Sequence, residues 1–128
     1  MRYLLDTYIW LWSLLEPDRL TENIRQVLED AGNEFFTSPI TVWEALILAE
    51  KGRLDLGSSP NAWIAEALES SPVQEAQLSH AVAIKSRDIE LPHQDPADRF
   101  IAATAWVHDL VLITADEKLR ASNQIKIL

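Results

Sequence analysis

The stretch DPADRFIAATAWVHDLVLITAD, residues 95–116, decides how this chain is read. It holds two elements back to back. Asp95-Pro96 is a helix start: an aspartate side chain accepts from the unpaired N–H groups of the first turn, and proline at the first helical position has no N–H to leave unpaired. The run from Phe100 to Val107 is apolar around much of a helical wheel, so this helix, reaching about His108, is expected to be buried. LVLIT, residues 110–114, has no charged residue and reads as a strand covered on both faces. A buried helix feeding a buried strand is the repeating unit of a parallel α/β sheet. Yet the same stretch carries Asp98 into the first turn of a buried helix and sets Asp116 just past a buried strand.

The alternation continues in both directions. Arg2–Leu5 reads as a short buried strand ending at Asp6, and residues 8–15 as a buried helix closed by Glu16-Pro17. Thr21 opens an amphipathic helix with Ile24, Val27, Leu28 and Ala31 on one face, stopped at Gly32. Glu34–Thr37 reads as a second strand. Ser38-Pro39 and Ser59-Pro60 repeat the start signal, for helices reaching about Lys51, with Gly52 as the stop, and about Glu69. Residues 73–78 read as a strand, 79–88 as helix, 90–94 as loop, 115–121 as a short helix and 125–128 as a last strand. The expected fold class is α/β: one three-layer α/β/α domain over residues 1–128 with a mainly parallel central sheet.

Composition narrows the function. A chain of 128 residues that is 48% hydrophobic suits one globular domain. There is no cysteine, hence no disulfide and no thiolate metal site. Asp6 interrupts the first apolar run, and no stretch approaches the roughly 18 apolar residues of a membrane span, so a cytoplasmic protein without membrane association is expected. With three glycines there is no glycine-rich phosphate loop. The net charge of −9 argues against gripping nucleic acid by bulk electrostatics. It leaves open phosphate chemistry through divalent cations, which reverse the local charge.

The acids therefore matter by position. In an open parallel sheet, ligands bind beyond the carboxyl ends of the strands. Asp6 stands at such an end, either as a functional group or as the cap of the helix behind it. Glu44 lies in ITVWEALILA, with Ile40, Ile47 and Leu48 among its helical neighbours, so it sits on or beside a buried face. A lone carboxylate there is costly unless paired or metal-bound. The cap role accounts fully for Asp95. For Asp98 the helix dipole contributes about 0.3–1 kcal/mol, which does not explain an acid on so apolar a helix. Asp116 repeats the situation of Asp6. Converging on one edge, Asp6, Glu44, Asp98 and Asp116 would repel and raise at least one pKa. Oxygen donors alone favour Mg²⁺ or Mn²⁺. Such a site suits phosphodiester hydrolysis: metal ions polarise a phosphoryl oxygen and acidify bound water, and a carboxylate can act as general base. No Ser–His–Asp set suggests itself, and His80, His93 and His108, which lack the spacing of a metal pair, read as surface or loop.

Four segments carry a resemblance: LLDTYIWLW (4–12), SPITVWEALILAEKGRL (38–54), HQDPADRFIAATA (93–105) and LITAD (112–116). In order and spacing the chain resembles PIN-domain ribonucleases, most of all the VapC-type toxins of type II toxin–antitoxin pairs. The likeness spans nearly the whole chain and is loose only over residues 73–88. It implies a three-layer domain, an endoribonuclease, and Asp6, Glu44, Asp98 and Asp116 as the catalytic acids around Mg²⁺ or Mn²⁺. It also implies supporting positions: Thr7 after the first aspartate, Ser38 and Thr114 as polar groups orienting ligands or water, and Arg99 as a contact to phosphate or to a nearby carboxylate. The implied partners are RNA as substrate, a cognate antitoxin and a second copy of the chain. Trp10, Trp12 and Trp63 are candidates for an interface or for the core. Lys51, Arg53, Lys85, Arg87, Lys118 and Arg120 are the bases available to guide RNA. A haloacid-dehalogenase-type phosphatase would need an acid where Tyr8 stands, and a receiver domain would need an acidic pair near the first strand and a late lysine. The remaining alternative is a PIN-like module that binds metal, RNA or protein without general nuclease activity.

Overall fold

The structure is a computed structural model that describes residues 1–92 and 94–128. His93, and its reading as surface or loop, lies outside the described residues.

Four parallel strands form the sheet: β1 (Arg2–Leu5), β2 (Glu34–Thr37), β3 (Val73–Glu75) and β4 (Val111–Ile113), in the order β3-β2-β1-β4. Among the described residues seven α-helices surround it: α1 (Thr7–Leu15), α2 (Glu22–Glu29), α3 (Pro39–Glu50), α4 (Pro60–Ser70), α5 (His80–Asp88), α6 (Pro96–Val107) and α7 (Glu117–Arg120). This is the expected α/β/α class.

Strand periodicity explains the layers. Tyr3 and Leu5 of β1 face one core, with Phe35, Ile113 and the α1 residues Ile9, Trp10 and Leu11. Leu4 faces the other, with Phe36, Leu112 and the α6 residues Ile101, Ala102 and Ala105. Successive side chains point to opposite faces, so a strand covered on both sides must be apolar throughout. In register, Tyr3 pairs with both Phe35 and Val111, and the Tyr3 and Phe35 rings stack at 5.9 Å. Burying each large apolar side chain contributes about 1.5–3 kcal/mol.

The caps form where the sequence predicts them. Ser38 Oγ accepts from Ile40 N at 3.1 Å, Ser59 Oγ from Ala62 N at 3.4 Å, and Asp95 Oδ1 from Ala97 N at 3.0 Å and Asp98 N at 3.4 Å. At the other end of α3, Gly52 adopts φ +70, which lets Arg53 N fold back onto Leu48 O at 2.9 Å.

Two strand expectations need correction. β3 ends at Glu75 rather than residue 78: Ala76 N still bonds Thr37 O, and the chain then leaves the sheet for Ser79, which caps α5. Residues 125–128 form no strand but a single parallel bridge, Ile127 to Leu112. Leu112 uses both backbone groups there, N to Lys126 O at 2.8 Å and O from Leu128 N at 3.0 Å. Ile125 and Ile127 still pack on the second core, so the apolar alternation is satisfied without a ladder.

The strand order sets the site. The chain steps outward from β1 to β2 to β3, then returns to the far side of β1 as β4. β1 and β4 remain paired to their ends, where Asp6 N bonds Ile113 O at 3.0 Å. Beyond that point they part: α1 packs on the first core, while Leu119 of α7 packs on the second. A crevice must open between them, and in such sheets this switch point is where ligands bind.

Candidate active site

Asp6 is at the floor of that crevice, 7% exposed. It caps α1, with Oδ1 accepting from Thr7 N at 2.8 Å, and its Oδ2 accepts from Thr114 Oγ1 at 2.5 Å. Thr114, itself buried, also accepts from Asp116 N at 3.0 Å. One hydroxyl therefore ties together the acids that follow β1 and β4. Asp116 caps α7, with Oδ1 accepting from Lys118 N at 2.8 Å. For Asp6 and Asp116 the cap and the site are not alternatives: the same side chain does the capping and lines the cleft.

Glu44 enters from α3, which packs against both α1 and α6. It is half-buried, and its Oε1 accepts from Thr7 Oγ1. Thr7 Oγ1 lies 3.3 Å from Thr41 Oγ1, and both threonines are buried. Asp98 is brought in by the first turn of α6, beside Asp95. Asp6, Glu44, Asp95, Asp98 and Asp116 all line one cleft of about 560 Å³.

The charges register one another. Burial pushes the Asp6 carboxyl up, opposed by its hydrogen bonds from Thr114 and Thr7 and seconded by Asp116 and Asp95. Burial likewise raises Glu44, against the bond from Thr7 and with Asp6 and Asp95 adding to it. Asp98 is pushed up to about 8, first by burial and then by Asp95, Asp6, Asp116 and Glu44. This is the behaviour of buried carboxylates that also repel one another. Among the described residues no three of them are gathered closely enough to hold one metal ion outright.

The supporting positions divide. Thr7 and Thr114 hold the acids directly. Ser38 is 1% exposed, spends its Oγ on the α3 cap and lines a smaller hollow near Val73 rather than the acidic cleft. Arg99 is buried, donating from Nε to Ser86 O at 2.7 Å and from an Nη to Ile89 O at 2.6 Å, bonds that clamp α6 to the end of α5. Of the six bases, Lys51 and Arg53 line the acidic cleft. Lys85 sits over the Trp106 ring at 4.0 Å, Arg87 lines another hollow, Lys118 is exposed on α7, and Arg120 donates to Thr114 O at 3.3 Å and Leu128 O at 2.9 Å. His108 Nε2 is 2.9 Å from Gln77 O, and His80 is exposed at the start of α5.

Of the two readings open for Trp10, Trp12 and Trp63, the structure shows core packing for all three. Trp10 is a core residue, 1% exposed, with the half-buried Trp63 edge-on to it at 6.5 Å. Trp12 is half-buried beneath Arg19 at 4.6 Å. The open tryptophans are Trp43 and Trp106. Trp43 and Tyr8 form walls of the acidic cleft, which the sequence reading missed. The signal available was adjacency, Trp43 next to Glu44 and Tyr8 two residues after Asp6.

Thr114 offers a direct test. Thr114→Val keeps the shape and removes the hydroxyl, leaving buried Asp6 Oδ2 without its donor. A loss of about 1–3 kcal/mol in a urea melt is expected. An unchanged midpoint would mean that the bond holds nothing.

Comparisons with known proteins place the fold in a family. Residues 3–123 match the PIN domain. The chain is 34% identical over 121 residues to ribonuclease VapC22 of Mycobacterium tuberculosis, covering 92% of this chain and 89% of that protein. A DNA-bound VapBC from Salmonella typhimurium superposes with a TM-score of 0.72 at 21% identity, over 100% of this chain and 97% of the other. A toxin–antitoxin complex from Klebsiella pneumoniae gives 0.64 at 21%, over 98% and 95%.

Proposed function

The chain belongs to the PIN-domain family, and on that premise we propose that it is a metal-dependent endoribonuclease that hydrolyses RNA phosphodiester bonds, the toxin of a toxin–antitoxin pair. The observation carrying this reading is the convergence of Asp6, Glu44, Asp98 and Asp116 on one cleft at the switch point of the sheet.

The donor chemistry suits a hard divalent ion: it is all oxygen, and the carboxyl pKa values are raised by burial first and then by the neighbouring acids. Asp6, Glu44, Asp98 and Asp116 would hold Mg²⁺ or Mn²⁺. When bound, the ion polarises a phosphoryl oxygen and lowers the pKa of water. The remaining work falls to the chain. Thr7 N and Thr114 Oγ1 fix one oxygen of Asp6 each, so that carboxylate keeps one orientation. Thr7 Oγ1 does the same for Glu44. A carboxylate of the cluster left free of the ion would suit the general base that takes a proton from attacking water, and Glu44, whose proton affinity is raised by burial, is the candidate. Lys51 and Arg53, at the same cleft, offset phosphate charge.

The reading further takes the chain as one PIN-like domain acting in the cytoplasm as a homodimer, and the toxin–antitoxin complexes among its structural neighbours support a cognate antitoxin that holds it silent. No helix among the described residues is long and apolar enough to cross a membrane. The test is RNA cleavage by purified, antitoxin-free protein. Cleavage is expected with Mg²⁺ or Mn²⁺ and none with EDTA. Metal binding without cleavage of any structured or total RNA would favour a binding module instead.

A further inference from the structure

From the walls of the cleft we infer that this nuclease site includes a base-stacking subsite for an unpaired nucleotide, with Lys51 and Arg53 holding a phosphate of the same strand. The inference rests on the nuclease reading and names the two rings, Tyr8 and Trp43, that would take the base.

Tyr8 and Trp43 are 45% and 52% exposed, although a buried aromatic ring is among the largest single contributions a core can gain. Neither completes a core. Each stands beside an acid, Tyr8 two residues after Asp6 on α1 and Trp43 next to Glu44 on α3, so the two helices bring rings to the same cleft. Tyr8 is backed by Trp12, whose ring centroid is 5.7 Å away, and Trp12 is backed in turn by Arg19. The Tyr8 ring is thus braced on α1 beside the cleft, and Trp43 reaches the same cleft from α3.

Charge completes the pattern. Lys51 lies seven residues beyond Glu44, two turns of α3 on the same face and about 10 Å along the axis. The positive φ of Gly52 turns the chain so that Arg53 returns beneath the helix end. Both cations lie at the carboxyl end of α3, where the helix dipole favours them, and among the described residues neither is in an ion pair. Acids, rings and cations line the same cleft. A strand of RNA offers a partner for each: a scissile phosphate, a base face, a further phosphate. Paired bases keep their faces stacked inside a helix, whereas single strands offer them to aromatic side chains.

The test is fluorescence anisotropy of the full chain carrying Asp6→Asn, with Mg²⁺ present so that binding is read without turnover. Three labelled probes are compared: a uridine-rich single strand, the same strand annealed into a duplex, and a strand of equal length made of abasic residues. The single strand is expected to bind about 5- to 100-fold more tightly than the abasic strand. Trp43→Ala should erase most of that preference, and Trp43→Phe should keep it. Lys51→Ala should flatten the slope of log affinity against log salt by about 0.7, the share of one phosphate on a single strand. Equal affinity for base-bearing and abasic strands, or a preference unchanged in Trp43→Ala and Tyr8→Ala, overturns the subsite. Cleavage in the otherwise unsubstituted chain separates the two readings. If Trp43→Ala cleaves with an unmoved KM, the subsite falls and the nuclease stands. If no RNA is cleaved yet Trp43 still carries the preference for bases, the nuclease reading falls and the stacking surface stands.

Discussion

Asp6→Asn is expected to slow RNA cleavage by about a hundred- to a thousandfold while leaving the fold intact. Removing one preorganised electrostatic group from an active site costs about that much, and Asp6 is the most deeply buried of the four acids. The fold survives because the hydrogen bonds can be kept. The asparagine oxygen still accepts from Thr7 N, and its amide can donate to Thr114 Oγ1. That hydroxyl has two lone pairs and already uses one for Asp116 N, so it can accept a second donor by turning its proton away. The exchange also removes a buried charge, so thermal stability should hold or rise in metal-free buffer. Initial cleavage rates with Mg²⁺ and with Mn²⁺, read beside a thermal melt, make the measurement. Undiminished cleavage by a properly folded variant would remove Asp6 from the chemistry, or point to a contaminating nuclease.

In the absence of metal, stability should fall as pH rises from about 4 to about 8, and millimolar Mg²⁺ or Mn²⁺ should restore it. Asp98 carries most of the argument, its carboxyl being pushed from 3.8 up to about 8. Across this window the unfolded chain has released the proton and the folded chain still holds it. The folded state then binds more protons than the unfolded one, so the unfolding free energy declines with pH. The contribution is whole below the unfolded value and lost by the time pH passes the folded one. Asp6 and Glu44 shift in the same direction and add to the slope. Asp98 is half-buried and water screens part of its repulsion, so Asp98→Asn is expected to gain only about 1–2 kcal/mol at pH 8 without metal. With metal the sign should reverse, because the variant has lost a ligand and gains less from binding. Chemical melts at pH 5 and pH 8, with EDTA or Mn²⁺, separate these outcomes. Stability that climbs with pH in EDTA would mean that the acids are not crowded.

Short-range chemistry was legible because it is written in neighbouring residues. Ser38-Pro39, Ser59-Pro60 and Asp95-Pro96 start helices wherever they stand, since a cap needs only its own first turn. The apolar runs Tyr3–Leu5 of β1 and Val111–Ile113 of β4 announced strands covered on both faces. Hence the parallel α/β class and the placing of Asp6 and Asp116 beyond strand ends could be read directly. Residues 125–128 show the boundary of that method. Their apolar alternation reflects packing on the second core, and only the sheet decided that a single bridge would form.

Local chemistry along the chain, then, sets the elements and the acids at their ends. The tertiary structure alone decided how those acids are used. It gave Asp95 and Asp98 to the same cleft, because the return of β4 beside β1 brings the first turn of α6 to the crevice. It joined Thr114 to Asp6 across 108 positions of chain, and Thr7 to Glu44 across 37. It sank Trp10 and left Trp43 open, a choice that helical periodicity cannot make because both lie in apolar runs. Caps and strands follow from local backbone chemistry, whereas burial, shared hydrogen bonds and shifted pKa values depend on which distant segments the sheet order brings together.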